Sequence, residues 1–212
     1  MTALIRLLAI LLLAGTALLG TGAALHPVLA GDAAAQLQTI ASTPYWRLLH
    51  LAMLAGSGLL IAGVWVRLLT TGTAAAPLVA ALAIVTVGVA LNALNIAFMA
   101  GSGTHMAALF ATGRTDMQSV FEATHPIGLM SARFGNFVVA LGALALGWIE
   151  RGDMTRPRWL AWLAWIAAAG GFVGVFFFDE ASRLALAAVA LLSGWEVATA
   201  ILALIRAAPA TR

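Results

Sequence analysis

The sequence contains no cysteine and no lysine, and these two absences exclude whole classes of chemistry. Without cysteine the chain forms no disulfide, binds no Cys-ligated cluster and uses no thiol nucleophile. Without lysine it has neither a retinal Schiff base nor a phosphate-binding P-loop. No nucleophile elbow or dinucleotide fingerprint occurs, and the predicted loops are too short to fold a soluble catalytic domain. We therefore expect a non-enzymatic protein rather than an enzyme.

Charge is also scarce, because only 9% of the residues are charged while 63% are hydrophobic, and the mean hydropathy is +1.02. Six predominantly apolar runs are long enough to cross a hydrocarbon core of roughly 30 Å as helices. They cover residues 4–25, 46–69, 75–100, 126–149, 158–178 and 182–205. None shows the two-residue alternation of a barrel strand. The sequence predicts an all-α transmembrane bundle of six helices, forming a single integral membrane domain over residues 1–212.

The arginines predict how this bundle is oriented. Seven fall at one set of helix ends and four at the other: Arg6, Arg67, Arg151, Arg156, Arg158, Arg206 and Arg212 against Arg47, Arg114, Arg133 and Arg183. The positive-inside rule then places both termini in the cytoplasm, and we expect a multi-pass protein of the bacterial inner membrane. The same bias accounts for the pI near 11.0, so a nucleic-acid partner is not expected. Lipid, other membrane subunits or further copies of the chain are the expected partners.

The first predicted span also has a second interpretation. Arg6 precedes a leucine-rich run that ends in the small residues 21–24, as in a secretory signal peptide. The run is long for a cleaved signal, which favours an uncleaved anchor. Cleavage would leave five helices, with the orientation of every later helix unchanged.

Two longer connections, 26–45 and 101–125, are predicted to be periplasmic loops. In the second, Met117 and Phe121 fall on one face of a short amphipathic helix, which we expect to lie on the membrane surface. Trp46 enters the second span where aromatic side chains commonly mark a membrane interface.

Polar side chains within the spans are the candidate functional residues, because hydrocarbon makes them costly. In the predicted outer half of the bundle they are His50, Asn92, Asn95, Arg133 and Asn136, and Glu196 lies near the middle of the last span. The two asparagines on the third span are three residues apart, so they share a helical face. Since lipid offers these groups no partner, we expect them to turn toward one another and form a ligand-binding pocket open to the periplasm.

All four histidines fall on the predicted periplasmic side. We select His50, His105 and His125 as candidate metal ligands, because neutral imidazoles suit zinc, copper or haem iron. The possible cofactors are therefore haem b or a divalent metal. No HExxH or His-x-His spacing occurs, and the alternative is that the polar groups only bond across helices as packing contacts.

Glu196 has two possible roles. Its estimated depth, roughly 20 Å below the outer end of its helix, brings it near Arg133 at roughly 10 Å, so the two long side chains could form an ion pair. We expect this pair, because an unpaired buried arginine would be costly. Alternatively, an unpaired Glu196 would carry protons in a small secondary transporter.

Three hypotheses for function follow from these residues. A non-enzymatic membrane subunit that holds a ligand or forms a complex is favoured, since no proline breaks a span near its middle. The alternatives are a small secondary transporter with Glu196 as its coupling acid, and a haem- or metal-binding subunit for electron transfer.

Overall fold

The computed structural model describes residues 1–71, 75–177 and 183–208, and this part of the chain is almost entirely helical. The α-helices are α1 (Thr2–Leu25), α2 (Ala33–Ser42), α3 (Trp46–Gly63), α4 (Val66–Thr70), α5 (Ala75–Phe98), α6 (Thr104–Ala111), α7 (Met117–Gly152), α8 (Arg158–Phe177) and α9 (Arg183–Arg206). A π-helical turn, Met99–Gly103, joins α5 to α6 without a break.

Six helical segments of the described residues are long and apolar enough to cross a membrane, which confirms the six predicted spans. They are Thr2–Leu25, Trp46–Thr70, Ala76–Ala111, Met117–Gly152, Arg158–Phe176 and Val189–Arg206. Large apolar side chains such as Leu48, Ile127 and Phe176 are exposed on these segments. Lipid is the solvent that such surfaces require. The chain is a multi-pass helical membrane protein.

The membrane helices form a ring in which each packs on two neighbours, in the order α1, α3, α5, α7, α8, α9 and back to α1. Helices adjacent in the chain are antiparallel, and α9 closes the ring where the Arg6 guanidinium donates to the Ala207 carbonyl at 2.9 Å. We call the end where α1 ends and α3 begins the histidine end. The opposite end, where α1 begins and α9 ends, is the arginine end.

Glycines set the closest helix approaches in this ring. A Cβ on Gly88 of α5 would lie 2.6 Å from the Val139 nitrogen, and one on Gly135 of α7 would lie 2.7 Å from the Asn92 nitrogen. Only a hydrogen fits at such positions, so the two backbones pack directly against each other. Between the helices lies one apolar core, which includes Leu12, Val64, Leu82, Leu146, Leu160 and Trp195.

Both long connections contain more helix than the sequence predicted. In the first, α2 begins after Asp32, whose carboxylate accepts the Ala35 N–H at 2.9 Å as a helix cap. In the second, α6 continues from α5, and α7 begins at Met117, well before the predicted start of the fourth span at 126. The prediction of a separate helix on the membrane surface is wrong, because these residues are the first turns of α7.

Packing explains why α7 runs through Pro126. Proline removes the N–H that would bond to the Glu122 carbonyl, yet the turns before it remain helical. Phe121 on these turns is 1% exposed, and it belongs to a small apolar cluster whose buried members include Leu37, Trp46, Met99 and Met106. Burial of Phe121 thus holds the start of α7 against α2, α3 and α6. Trp46 is also buried, so it does not face lipid as the side chains of an aromatic belt do.

The close packing of α5 on α7 predicts a difference between two Gly→Ala substitutions. Gly88→Ala should lower the free energy of unfolding by about 1–3 kcal/mol relative to Gly58→Ala, because only Gly88 has backbone atoms where the methyl group would lie. Both changes gain a similar helix propensity of about 1 kcal/mol, which makes Gly58 a matched control. Thermal unfolding in detergent measures both variants, and equal stabilities would contradict this packing.

Candidate functional site

A cavity of about 600 Å³ lies at the histidine end, between α1, α3, α5 and α7 and next to α2. Its walls are mostly apolar. Its polar side chains come from five parts of the chain: His26, Gln36, His50, Asn92, Asn95, Glu122 and His125. A mostly apolar concavity with a few converging polar groups is the usual form of a small-molecule site.

The structure places only some of the predicted ligand-binding residues at this cavity. His50, Asn92 and Asn95 line it, and Asn136 lies behind Asn92, whose Nδ2 donates to the Asn136 Oδ1 at 2.8 Å. Arg133 is half-buried on α7 and is not among the lining residues. Gln36 and Glu122 are not among the predicted residues, because both lie in segments that the sequence predicts to be loops.

The three predicted metal ligands are not brought together. His105 is exposed on α6, whereas His125 is buried with its ring 4.4 Å from that of Phe121. Within residues 1–71, 75–177 and 183–208, no group of three or more histidine or acidic side chains is placed to hold a metal ion. His50 instead contacts His26, which is not among the three predicted metal ligands.

His26 and His50 are the closest polar pair in the cavity wall, with their Nε2 atoms 3.2 Å apart. The His50 Nδ1 lies 2.8 Å from the Trp46 carbonyl oxygen. A carbonyl only accepts, so this Nδ1 carries the hydrogen, and the Nε2 of neutral His50 presents a lone pair. The Trp46 ring packs against both imidazoles, with centroid distances of 4.7 and 4.5 Å.

His26 lies just after α1 and is largely shielded from solvent. Burial lowers the pKa of His26 to about 4, and the neighbouring His50 lowers it as well, while a backbone hydrogen bond to Pro27 acts in the opposite direction. The His26 imidazole is therefore neutral at pH 7. A neutral imidazole can donate a hydrogen bond from one nitrogen and bind a cation with the other.

The π-helical turn after α5 holds Trp46 in this arrangement. The Met99 carbonyl at the start of the turn accepts hydrogen bonds from the Trp46 indole at 3.4 Å and from the Thr104 hydroxyl at 2.9 Å. Such turns within α-helices are frequent at functional sites. Here the turn fixes the indole ring that packs on the two histidines.

Two buried amide oxygens in the cavity wall accept no hydrogen bond from any residue that the structure describes. They are the Asn95 Oδ1 and the Gln36 Oε1. Buried polar atoms in native proteins are nearly always hydrogen-bonded. These acceptors are thus suited to the donor groups of a ligand or to water.

Glu196 lies in a second polar group, at the arginine end. The Nη1 of Arg67 is 3.0 Å from the Glu196 Oε2, and its Nη2 donates to the Thr199 hydroxyl at 2.8 Å. The Arg67 guanidinium also stacks 4.2 Å from the centroid of the Trp195 ring. Arg67 is fully buried, and its charge is balanced inside the bundle.

Glu150 connects this ion pair to a second arginine. Its Oε1 is 3.5 Å from the Arg67 Nε and 3.2 Å from the Arg156 Nη1. We call Arg67, Glu150, Arg156 and Glu196 the arginine cluster. All four side chains are buried, and their formal charges sum to zero. The cluster joins α4, α7 and α9 to the turn before α8.

The predicted ion pair between Arg133 and Glu196 is therefore wrong. Arg133 and Glu150 lie about 25 Å apart along the continuous helix α7. Glu196 contacts the same Arg67 that contacts Glu150, so it lies beyond the reach of Arg133. The sequence predicts Arg67 as one of the arginines at the membrane interface. Counting the depth of Glu196 from the arginine end of its helix, rather than from the histidine end, would have indicated Arg67 as its partner.

Comparison of the chain with models of known protein families, with curated proteins and with solved structures finds no match.

The arginine cluster predicts coupling between Arg67 and Glu196. Arg67→Gln and Glu196→Gln should each lower the free energy of unfolding by about 3–5 kcal/mol, because each leaves a buried charge without its partner. The double variant should lose less than the sum, with a coupling energy of about 0.5–3 kcal/mol. Thermal unfolding in detergent measures the four proteins.

The control for this cycle is Arg133→Gln combined with Glu196→Gln, whose effects should add because the two residues are far apart. Additive effects for Arg67 and Glu196, together with coupling between Arg133 and Glu196, would restore the pair expected from the sequence.

Proposed function

We propose that this protein is a non-enzymatic, ligand-holding protein of the bacterial inner membrane, whose cavity at the histidine end faces the periplasm. The observation that carries the proposal is the convergence of polar side chains from five parts of the chain on one mostly apolar cavity. Burial of polar groups within a membrane protein is costly and commonly marks a functional site. Packing alone would pair these groups with one another, as it does for Asn92 and Asn136.

The distribution of charge supports the proposed orientation. The arginine end carries six arginines and three acids, whereas the histidine end carries two arginines, Arg47 and Arg114, and three acids. The six are Arg6, Arg67, Arg151, Arg156, Arg158 and Arg206, beside Glu150, Asp153 and Glu196, and the acids of the histidine end are Asp32, Asp116 and Glu122. By the positive-inside rule the arginine end faces the cytoplasm. Exposed Trp148, Trp159 and Trp162 near the arginine end fit the aromatic belt of a membrane interface.

The contacts of Glu196 do not favour a transporter. A coupling acid exchanges protons with water along a transport path, whereas Glu196 is buried in an ion pair with Arg67. That arginine is itself held by Thr199 and Glu150. These contacts support a structural role for Glu196.

The histidine pair also does not fit a haem held between its two rings. Axial ligands bind a haem iron from opposite faces of the macrocycle. The Nε2 atoms of His26 and His50 are 3.2 Å apart, which leaves no room for a porphyrin between the imidazoles. A small solute or a single ion fits the cavity wall better.

Cysteine accessibility tests the cavity and its orientation together, and the cysteine-free sequence provides a clean background. In intact cells, Ala132→Cys in the cavity wall should react with a small, charged, membrane-impermeant thiol reagent. Met154→Cys, which is 88% exposed at the arginine end, should react only after the cells are permeabilised. Ala143→Cys on α7 is the matched control, because its fully buried side chain should stay unreactive in both conditions.

The opposite labelling pattern, with Met154→Cys reactive in intact cells, would reverse the orientation. An Ala132→Cys variant that remains as unreactive as Ala143→Cys before and after permeabilisation would show that the cavity is closed to solutes, which contradicts a ligand-holding role.

A further inference from the structure

The Nε2 atoms of His26 and His50 face each other across 3.2 Å in the cavity wall. His50 Nδ1 donates to the Trp46 carbonyl, so the Nε2 of the neutral His50 ring has no hydrogen and presents a lone pair. The tautomer of His26 decides whether its Nε2 donates a hydrogen to this lone pair or presents a second lone pair. Two imidazole lone pairs that converge on one point are placed as two ligands of one cation.

A cation between the two Nε2 atoms would bind both lone pairs. With metal–nitrogen distances of about 2.0–2.1 Å and the angles of about 109–120° of a tetrahedral or trigonal ion, two imidazole nitrogens are about 3.3–3.6 Å apart. The observed 3.2 Å is close to the lower end of this range, so binding requires little movement of α1 or α3.

The surroundings of the two rings also match those of metal-binding histidines. A metal-ligating imidazole nearly always donates its other N–H to a carboxylate, a backbone carbonyl or water, which fixes its orientation. The Trp46 carbonyl is such an acceptor for His50. The indole of Trp46, held by the Met99 carbonyl, limits rotation of both rings.

A thioether lies one helical turn from the pair. Met53 follows His50 by three residues on α3, so the two side chains share a helical face. Gly22, one turn before His26, makes room for Met53, since a Cβ at Gly22 would lie 2.7 Å from the Met53 Sδ. Met53 and Met99 both line the cavity. Among metals that bind imidazole, soft thioether ligands select copper(I).

We propose that His26 and His50 bind one copper(I) ion in this cavity, with the Met53 thioether available as a third ligand. The proposal names the ligand of the ligand-holding cavity described above and therefore rests on that function. The site needs two histidines and a methionine, a combination distinct from the three-histidine set expected from the sequence.

Copper(I) titration of the purified full-length protein in detergent, in competition with a chromophoric copper(I) chelator, tests the site. We expect one ion per chain. His26→Gln should weaken binding by more than about 100-fold, the upper range for loss of an outer partner, and His50→Gln should do the same. His105→Gln is the matched control, because this exposed histidine should leave the affinity unchanged.

Because His50 is only 2% exposed, its replacement affects packing as well as binding, so the half-buried His26 provides the decisive variant. The melting temperature of the His26→Gln variant without metal should stay near that of the parent protein. If His26→Gln folds and binds copper(I) as tightly as the parent, the site does not exist. An equal loss in His105→Gln would likewise overturn it, because binding would then be unspecific.

Met53→Leu tests the choice of metal while roughly conserving side-chain volume. It should weaken copper(I) binding and leave zinc(II) binding unchanged, because zinc has less preference for thioethers. Equal affinities for copper(I) before and after this change would overturn the role of Met53. If copper(I) does not bind while Ala132→Cys is still labelled from the periplasm, the metal assignment fails and the ligand-holding function stands.

Discussion

Hydrocarbon cannot form hydrogen bonds, and this constraint determines how both the backbone and the buried polar side chains of this protein are arranged. The backbone meets it by forming helices, which satisfy their own N–H and C=O groups. The side chains meet it by collecting at two places inside the ring of helices, the arginine cluster and the cavity at the histidine end. Between them lies an apolar core in which glycine positions bring the backbones together.

The two polar places differ in how their charges are balanced and in whether they line a cavity. In the arginine cluster two arginines face two glutamates, and Arg67 is further held by Thr199 and the ring of Trp195. Such a neutral, fully buried group ties helices together. Hydrogen bonding is incomplete at both places, since the Glu150 Oε2 and the Asn95 Oδ1 each lack a hydrogen-bond partner within the described chain. The polar groups at the histidine end, however, line a cavity that a ligand could enter, and this is why we place function there.

The histidine end depends on several elements at once. Trp46 at the start of α3 packs on His26 and His50, donates to the π-helical turn after α5, and belongs to the same apolar cluster as Phe121 at the start of α7. Helices α2 and α6 pack on each other at this end, where the sequence predicted loops, and α2 contributes Ala33 and Gln36 to the cavity wall. The geometry of the histidine pair is therefore a product of contacts among α1, α3, α5 and α7.

The sequence by itself determined the all-α class and the six membrane helices, because the length and apolar composition of a span are local properties that hydrocarbon enforces. It also indicated His50, Asn92 and Asn95, since polar residues within spans stand out. Only the tertiary structure decided their partners. Glu196 pairs with Arg67 rather than Arg133, and His50 contacts His26 rather than His105 or His125, because depth and rotation depend on how whole helices pack and where α7 begins.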